Sequence, residues 1–578
     1  MIDQMKKINL FLVLILTLLP VYNLSAQVET LDAYLNSPNY EVKIDADSVV
    51  EIYNKKTNLR WLKSIKEYNE PENARTADLI IDLDTVNLAY YEDYYRKWGR
   101  LNAANPSLGA EYIVVDANNN SKNEIYAVQS SDTTFFTATI YENVIDSLFN
   151  YWMQIRDSLS IIYDIGDITN DGLLDIICRK IGNQLYFYKQ SSSTDYIDQL
   201  NFIYNPFPTV YQPNDVTFYD LTGDGIQEII YYLDAGSIDS VWGVSNHVAM
   251  YNPVINNYEL KYYHRPTPNF FTFGFATGDF DNDGKNNFST GGINGNYFFY
   301  EYVAGNTIKL EYEMQLQTAN AYQSLMTDDI NNNGKNEIWI GSEFFSSQYG
   351  AVTRVFVLEP AGNETYEIVY QIDIRGLFSF IVGRLKYADL DGDGMKDIFL
   401  NNTSLCFGFK YSQERNYYLD FIIDIWEDDP GYQGQYFEGG DIADLDSDGI
   451  AEIIMQKSLY WPEQYKSLFW KRDKLAGIDD DDNLLPGEFN LWQNYPNPFN
   501  PQTTIKFSLP QEVKVNIKIY NIVGKEITQL INETRISGEY EVTWDGRDSN
   551  GNQMPSGVYF IALITETYNK TIKAILIK

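Results

Sequence analysis

Short runs of β-branched and aromatic residues recur along most of this chain, each preceded by a polar, acidic stretch. Ile229-Ile230-Tyr231-Tyr232, Ile338-Trp339-Ile340 and Ile453-Ile454-Met455 are examples, broken off by Gly, Ser or Asn. A second aromatic run follows, as in Leu185-Tyr186-Phe187-Tyr188 and Tyr297-Phe298-Phe299-Tyr300. Such residues suit a pleated, half-buried surface, so these runs predict strands. No stretch with the helical period joins them, and the predicted fold is antiparallel and all-β.

The acidic stretches are one pattern written seven times. Its strongest copies are Asp389-Leu-Asp391-Gly-Asp393-Gly394-Met-Lys-Asp397 and Asp444-Leu-Asp446-Ser-Asp448-Gly449-Ile-Ala-Glu452. A third runs Asp279-Phe-Asp281-Asn-Asp283-Gly284-Lys-Asn-Asn287. Two carry Thr at position 3: Asp167, Thr169, Asp171, Asp175 and Asp220, Thr222, Asp224, Glu228. One carries two Asn, in Asp329, Asn331, Asn333, Glu337. The first in the chain departs furthest, with Asp116, Asn118, Asn120, Ser121 in place of Gly, and Glu124. Every copy has oxygen-bearing side chains at positions 1, 3, 5 and 9. First positions are 51, 53, 59, 50, 60 and 55 residues apart. That spacing holds one four-stranded unit with its turns, so a seven-bladed β-propeller is expected over residues 86–475.

Alternating oxygen ligands in a tight loop suit Ca²⁺, which takes about six to eight oxygens at roughly 2.3–2.6 Å. Glycine at position 6 permits a reversal at positive φ, and the side chain at position 9 returns to close the shell. Structural Ca²⁺ is therefore expected in several of these loops. The competing reading is a set of Asx turns that need no metal. The loops are not EF-hands: position 12 holds Ala127, Cys178, Tyr231, Thr290, Ile340, Leu400 and Met455, never an acid.

The net charge of −37 excludes nucleic acid as a partner. Cys178 and Cys406 lie in apolar runs and read as buried thiols. With only two histidines, His247 and His264, no His-based metal centre or triad is supported. No separate catalytic carboxylate pair stands out from the loops, and a non-enzymatic protein is expected.

Residues 1–26 read as a signal peptide: Lys6 and Lys7, an apolar run from Ile8 to Leu19, and Ser25-Ala26 before Gln27. No later run approaches the about 18 apolar residues of a membrane span, so none is expected in the mature chain. Residues 27–85 lack the repeat and are a candidate source of the strand that closes the ring. Residues 476–489, with Asp479 to Asp482, read as an acidic linker. Alternation in Thr504-Ile505-Lys506-Phe507 and Val513 to Ile519 marks residues 490–578 as a small β-domain, best fitted by an immunoglobulin-like sandwich.

The seven loops, with Phe273-Gly274 ahead of Gly278-Asp279, resemble the FG-GAP/VCBS repeats of integrin α-subunit propellers and of secreted bacterial proteins. The Gly-Ala-Pro element of that family is absent. The resemblance implies Ca²⁺ in hairpin loops on one face of the ring, with a structural role. Leu491-Trp492-Gln493-Asn494-Tyr495-Pro496-Asn497-Pro498-Phe499-Asn500-Pro501 resembles the opening of a type A C-terminal sorting domain. Trp544-Asp545-Gly546, Ser556 to Phe560 and Lys573 to Lys578 match its later elements. That resemblance implies a Gram-negative cell and partnership with the type IX secretion machinery through residues 490–578. It also implies delivery to the outer surface or the medium.

The expected role is a secreted or surface-displayed, Ca²⁺-binding propeller for adhesion or ligand binding, its partner an extracellular protein or glycan. A lectin, or a polysaccharide-active enzyme built on the propeller, is the alternative. With 47 tyrosines the chain has rings to stack on sugars, although blade packing uses the same rings.

Overall fold

The computed structural model describes Leu35 and residues 40–577. Within that span 103–111, 206–211, 235–244, 265–271, 377–383, 425–435, 473–489 and a number of shorter turns lie outside the described residues. The signal peptide, the acidic linker and parts of the Trp492–Pro496 stretch fall outside them too. Among the described residues no helix is long and apolar enough to cross a membrane.

Among the described residues, seven sheets of four or five strands follow one another along the chain, antiparallel apart from the Arg100–Asn102 edge strand of the first, and each has an Asp-rich loop between two neighbouring strands. In the second sheet these strands are Leu159–Gly166, Asp175–Lys180, Leu185–Gln190 and Ile197–Tyr204, in that order. Aromatic and β-branched side chains of neighbouring sheets pack in shared cores. Phe187, Phe202, Phe218 and Tyr258 join the second sheet to the third, and Phe299, Ile338, Phe356 and Tyr366 join the fourth to the fifth. The seventh sheet meets the first through Tyr112, Phe149, Ile454 and Phe469, with the Tyr112 hydroxyl donating to Ile454 O at 2.7 Å. This is a β-propeller. Cys178 and Cys406 are buried within its strands and in no disulfide.

The ring is completed by a different segment from the one expected. Tyr95–Lys97 pairs with Gln464–Arg472 as the outermost strand of the seventh sheet, ten residues beyond the 27–85 stretch at its start. The earlier segment has two other uses. Leu79–Asp82 adds a fifth strand to the fifth sheet. Tyr40–Ile44, Val49–Asn54 and Arg60–Ser64 form a three-stranded sheet of their own. Asn320 holds that small sheet: its Oδ1 accepts from Ser64 N at 2.9 Å and its Nδ2 donates to Ser64 O at 3.0 Å.

The chain divides into two compact units, 1–81 with 94–473, and 82–93 with 474–578. The second is an immunoglobulin-like sandwich. Asn490–Leu491, Thr503–Leu509 and Gly538–Trp544 form one sheet; Glu526–Arg535, Val513–Asn521, Gly557–Ile564 and Asn569–Leu576 form the other. Inward positions of both sheets, among them Ile505, Phe507, Ile517, Trp544, Ile561 and Leu563, make one buried core, as strict alternation requires.

Candidate metal centres

All seven loops adopt one backbone. The residues at positions 4 and 6 have positive φ in every copy, from Asn119 (55°) and Ser121 (65°) in the first to Ser447 (62°) and Gly449 (90°) in the last. Ser121 takes the conformation that glycine holds elsewhere. The side chain at position 1 accepts from the backbone N–H groups that follow: Asp444 Oδ1 from Asp448 N at 3.0 Å and Oδ2 from Gly449 N at 2.9 Å. Position 5 accepts from position 7, as Asp448 does from Ile450 N at 3.0 Å. These bonds are those of Asx turns, and they satisfy the backbone without a metal. Gly449→Ala should cost about 1–2 kcal/mol, the left-handed penalty of a non-glycine residue. No atom lies within 4 Å of the added Cβ, so the loss, measured by denaturant unfolding, reports the backbone alone.

Position 9 starts the second strand, or in the fifth sheet immediately precedes it. Glu124, Asp175, Glu228, Asn287, Glu337, Asp397 and Glu452 are all buried. From this position an oxygen accepts a hydrogen bond back across the loop, as Glu452 Oε2 does from Leu445 N at 2.7 Å and Asn287 Oδ1 from Phe280 N at 3.1 Å. Burial pushes the carboxyls of Glu124, Asp175 and Glu452 up to about 7 and that of Glu228 to about 8. A divalent cation would reverse that preference. At position 3, Thr222 Oγ1, Asp281 Oδ1 and Asp446 Oδ1 are buried with no hydrogen-bond partner, oxygens placed as ligands would be. Among the described residues, three or more acidic oxygens gather within 4.8 Å in the fourth loop (Asp279, Asp281, Asp283), the sixth (Asp389, Asp391, Asp397) and the seventh (Asp444, Asp446, Glu452). Loops one, two, three and five assemble no such group, although Asp116, Asp167, Asp171, Asp220, Asp224, Asp329 and their Asn and Thr partners hold the same turn.

The residue facing position 9 on the third strand distinguishes the copies. In the second sheet Lys189 stands opposite Asp175 and pairs with Asp171. In the sixth, Lys410 lies one residue beyond the Ile398–Phe409 pair and pairs with Asp391, with Asp393 at 2.9 Å and with Asp397 at 3.9 Å. In the seventh, Lys471 Nζ lies 2.6 Å from Asp446, 3.1 Å from Asp448 and 2.6 Å from Glu452. Lys410 and Lys471 thus place an ammonium group among the acidic oxygens of the sixth and seventh loops. The Asn-bearing loops have an acid instead. Glu142 faces Glu124 and accepts from Asn120 Nδ2 at 2.7 Å, and Glu359 accepts from Asn331 and Asn333 Nδ2, both at 2.8 Å. The third sheet has Met250 in this region, and the fourth has Glu301 opposite Asn287.

Neighbouring loops are tied by position 8. Asn286 Nδ2 donates to Asp220 O at 2.7 Å and Asn336 Nδ2 to Asp279 O at 3.3 Å. Asn123 Nδ2 donates to Asp444 O, joining the first loop to the last. These ties join the fourth loop to the third, the fifth to the fourth and the first to the seventh.

In the sandwich, the Asn497-Pro498-Phe499 stretch grips the chain's last strand. Asn497 Oδ1 accepts from Ile575 N at 2.8 Å and its Nδ2 donates to Lys573 O at 2.9 Å. Phe499 N donates to Ile575 O at 2.9 Å, and Phe499 O accepts from Ile577 N at 3.0 Å. His247 and His264 occupy adjacent strands of the third sheet. His264 Nδ1 lies 2.8 Å from the Tyr300 hydroxyl, and burial lowers the imidazole's proton affinity.

Comparison with known proteins fits this organisation. Residues 167–231, from the second loop to the strand after the third, match the FG-GAP-like repeat family. Residues 497–568 match the FlgD Ig-like domain family. No curated protein matches the chain. Similar solved structures include PorZ, an essential bacterial surface component of the type-IX secretion system of Porphyromonas gingivalis, at 10% identity and TM-score 0.36, covering 93% of this chain and 74% of that one. BBS1N in complex with ARL6DN shows 8% identity and TM-score 0.40 over 66% of this chain and 96% of that one. A protein from Lactobacillus plantarum shows 9% identity and TM-score 0.37 over 73% and 99%. The family matches thus cover one FG-GAP-like stretch within the propeller and most of the Ig-like C-terminal domain.

Proposed function

We propose that this chain is an exported, seven-bladed propeller, stabilised by Ca²⁺ in its Asp loops and displayed as a scaffold for adhesion or ligand binding. The observation that carries the metal reading is the row of buried oxygens at position 3, without hydrogen-bond partners, beside buried carboxylates at position 9. In the fourth loop, where Asn287 takes position 9, no lysine enters from the third strand, since Glu301 stands there, although Lys285 pairs with Asp283 at 2.9 Å. In the second, sixth and seventh loops the lysine competes with the metal. The role is binding rather than catalysis, with an extracellular protein as the favoured ligand. Sugar stacking has less support, because the rings are used in packing. Tyr188, Tyr231, Tyr232, Tyr297 and Tyr300 are fully buried, and Tyr263 is the aromatic residue more than a third exposed among the described residues.

Residues 490–578 act as the type IX sorting signal, with the Asn497–Phe499 clasp holding the terminal strand in the recognised form. In a Gram-negative host with that machinery, the intact chain should reach the surface or medium, and a chain ending at residue 489 should stay in the periplasm. Equal arrival of both at the surface would contradict the sorting role. Probing arrays of extracellular proteins and of glycans with the secreted chain then separates the two ligand classes.

A further inference from the structure

Beside the fourth loop lies a group of carboxylates that the repeat does not contain. Glu301 is on Asn296–Ala304, Glu311 on Thr307–Gln315, and Glu364 on the turn between Gly350–Gly362 and Thr365–Arg375 of the fifth sheet. One oxygen from each lies within 4.8 Å of the other two. Glu301 is 0% exposed. Its Oε1 meets Lys285 Nζ at 3.1 Å and Lys309 Nζ at 3.4 Å, while Oε2 is buried with no hydrogen-bond partner. Glu311 Oε2 accepts from Asn287 Nδ2 at 2.9 Å and from the Tyr366 hydroxyl at 3.5 Å. Its Oε1 is likewise buried and unpartnered. Asp281 repeats the arrangement: Oδ2 accepts from Glu364 N at 3.0 Å, and Oδ1 has no partner. Glu364 Oε1 pairs with Lys309.

Each of these three side chains thus spends one oxygen on the protein and leaves another buried and unmatched. Buried anionic oxygen without a partner is costly, and two ammonium groups do not balance five carboxylates, counting Asp283. All candidate ligands are oxygens, with no His or Cys, which selects a hard cation. We propose that Glu301, Glu311 and Glu364, with Asp281 at their edge, bind a divalent cation, Ca²⁺ foremost, that ties the fourth sheet to the fifth. Among the described residues no other sheet gathers three carboxylates outside its loop. The three glutamates lie outside the repeat motif, and Asp281 is shared with the fourth loop.

The test is equilibrium dialysis of the whole secreted chain against Ca²⁺, comparing wild type with Glu311→Gln, Glu364→Gln and, in the seventh loop, Asp444→Asn. Both glutamine variants should lose one bound equivalent that Asp444→Asn retains. Wild-type stoichiometry and affinity in both glutamine variants would overturn the site. Loss confined to Asp444→Asn would show loops that bind and a cage that does not. If circular dichroism shows that a glutamine variant does not fold, wild-type crystals soaked in Tb³⁺ decide the matter. An anomalous peak among Glu301, Glu311 and Glu364 supports the site, and its absence overturns it.

Discussion

Replacing Lys471 with Met should cost the calcium-free chain about 3–5 kcal/mol, the usual loss when one partner of a buried ion pair is removed. Lys471 retains only 8% side-chain exposure, and Glu452 beside it retains none. Its ammonium is shared by Asp446, Asp448 and Glu452 and lies 5.1 Å over the Trp98 ring. Methionine keeps most of the apolar stem and removes the charge, so three carboxylates are left facing one another. Calcium should restore much of the loss, because the vacated position has the ligands of a metal site. Urea unfolding with chelator and with Ca²⁺ measures both effects, and the calcium-dependent gain should be larger in Lys471→Met than in wild type. A loss below about 1 kcal/mol with no response to Ca²⁺ would refute the view that the ammonium stands in for a cation.

Asp373→Ala should be comparably damaging, by about 3–5 kcal/mol, and calcium should not rescue it. Arg354 and Asp373 form a two-bond pair between the third and fourth strands of the fifth sheet, Nε to Oδ1 at 2.6 Å and Nη2 to Oδ2 at 2.7 Å. Arg354 is 2% exposed. Its Nη1 donates to Gln317 O at 2.9 Å, and its guanidinium lies 4.5 Å from the centre of the Phe344 ring. The guanidinium cannot shed its proton, so losing Asp373 strands a buried charge. Arg354→Met combined with Asp373→Leu should recover part of the loss, since apolar groups of similar shape often replace a buried pair at little cost. Denaturant unfolding of the three variants checks this, and a mild Asp373→Ala or a damaging double variant would contradict it.

The loops were legible in the sequence because their geometry is local. Asp at position 1 and the small or Asn residues at positions 4 and 6 are dictated by backbone N–H groups and positive φ within nine residues. Asn119, Asn170, Gly223, Asn282, Asn332, Gly392 and Ser447 show that position 4 carried a signal as regular as position 6. The facing residue was not legible. From position 9 to the third strand the count is 14 residues for Asp175 to Lys189, 13 for Asp397 to Lys410 and 19 for Glu452 to Lys471. Hairpin length varies, so no fixed spacing exposes the lysines. Glu364 reaches the fourth sheet from a turn of the fifth, which only the packed ring brings near. The closing strand, Tyr95–Lys97, is too short to carry alternation of its own. Alternation did reveal the C-terminal sandwich, because one buried face per sheet writes period two directly into the chain.

Thermal unfolding of the whole mature chain, in millimolar Ca²⁺ and again in excess chelator, tests the central claim that this propeller is held together partly by cations in its Asp loops. A ligand bound only by the folded state must raise its stability. The melting temperature should therefore be several degrees higher with Ca²⁺, and identical melts in both conditions would contradict it.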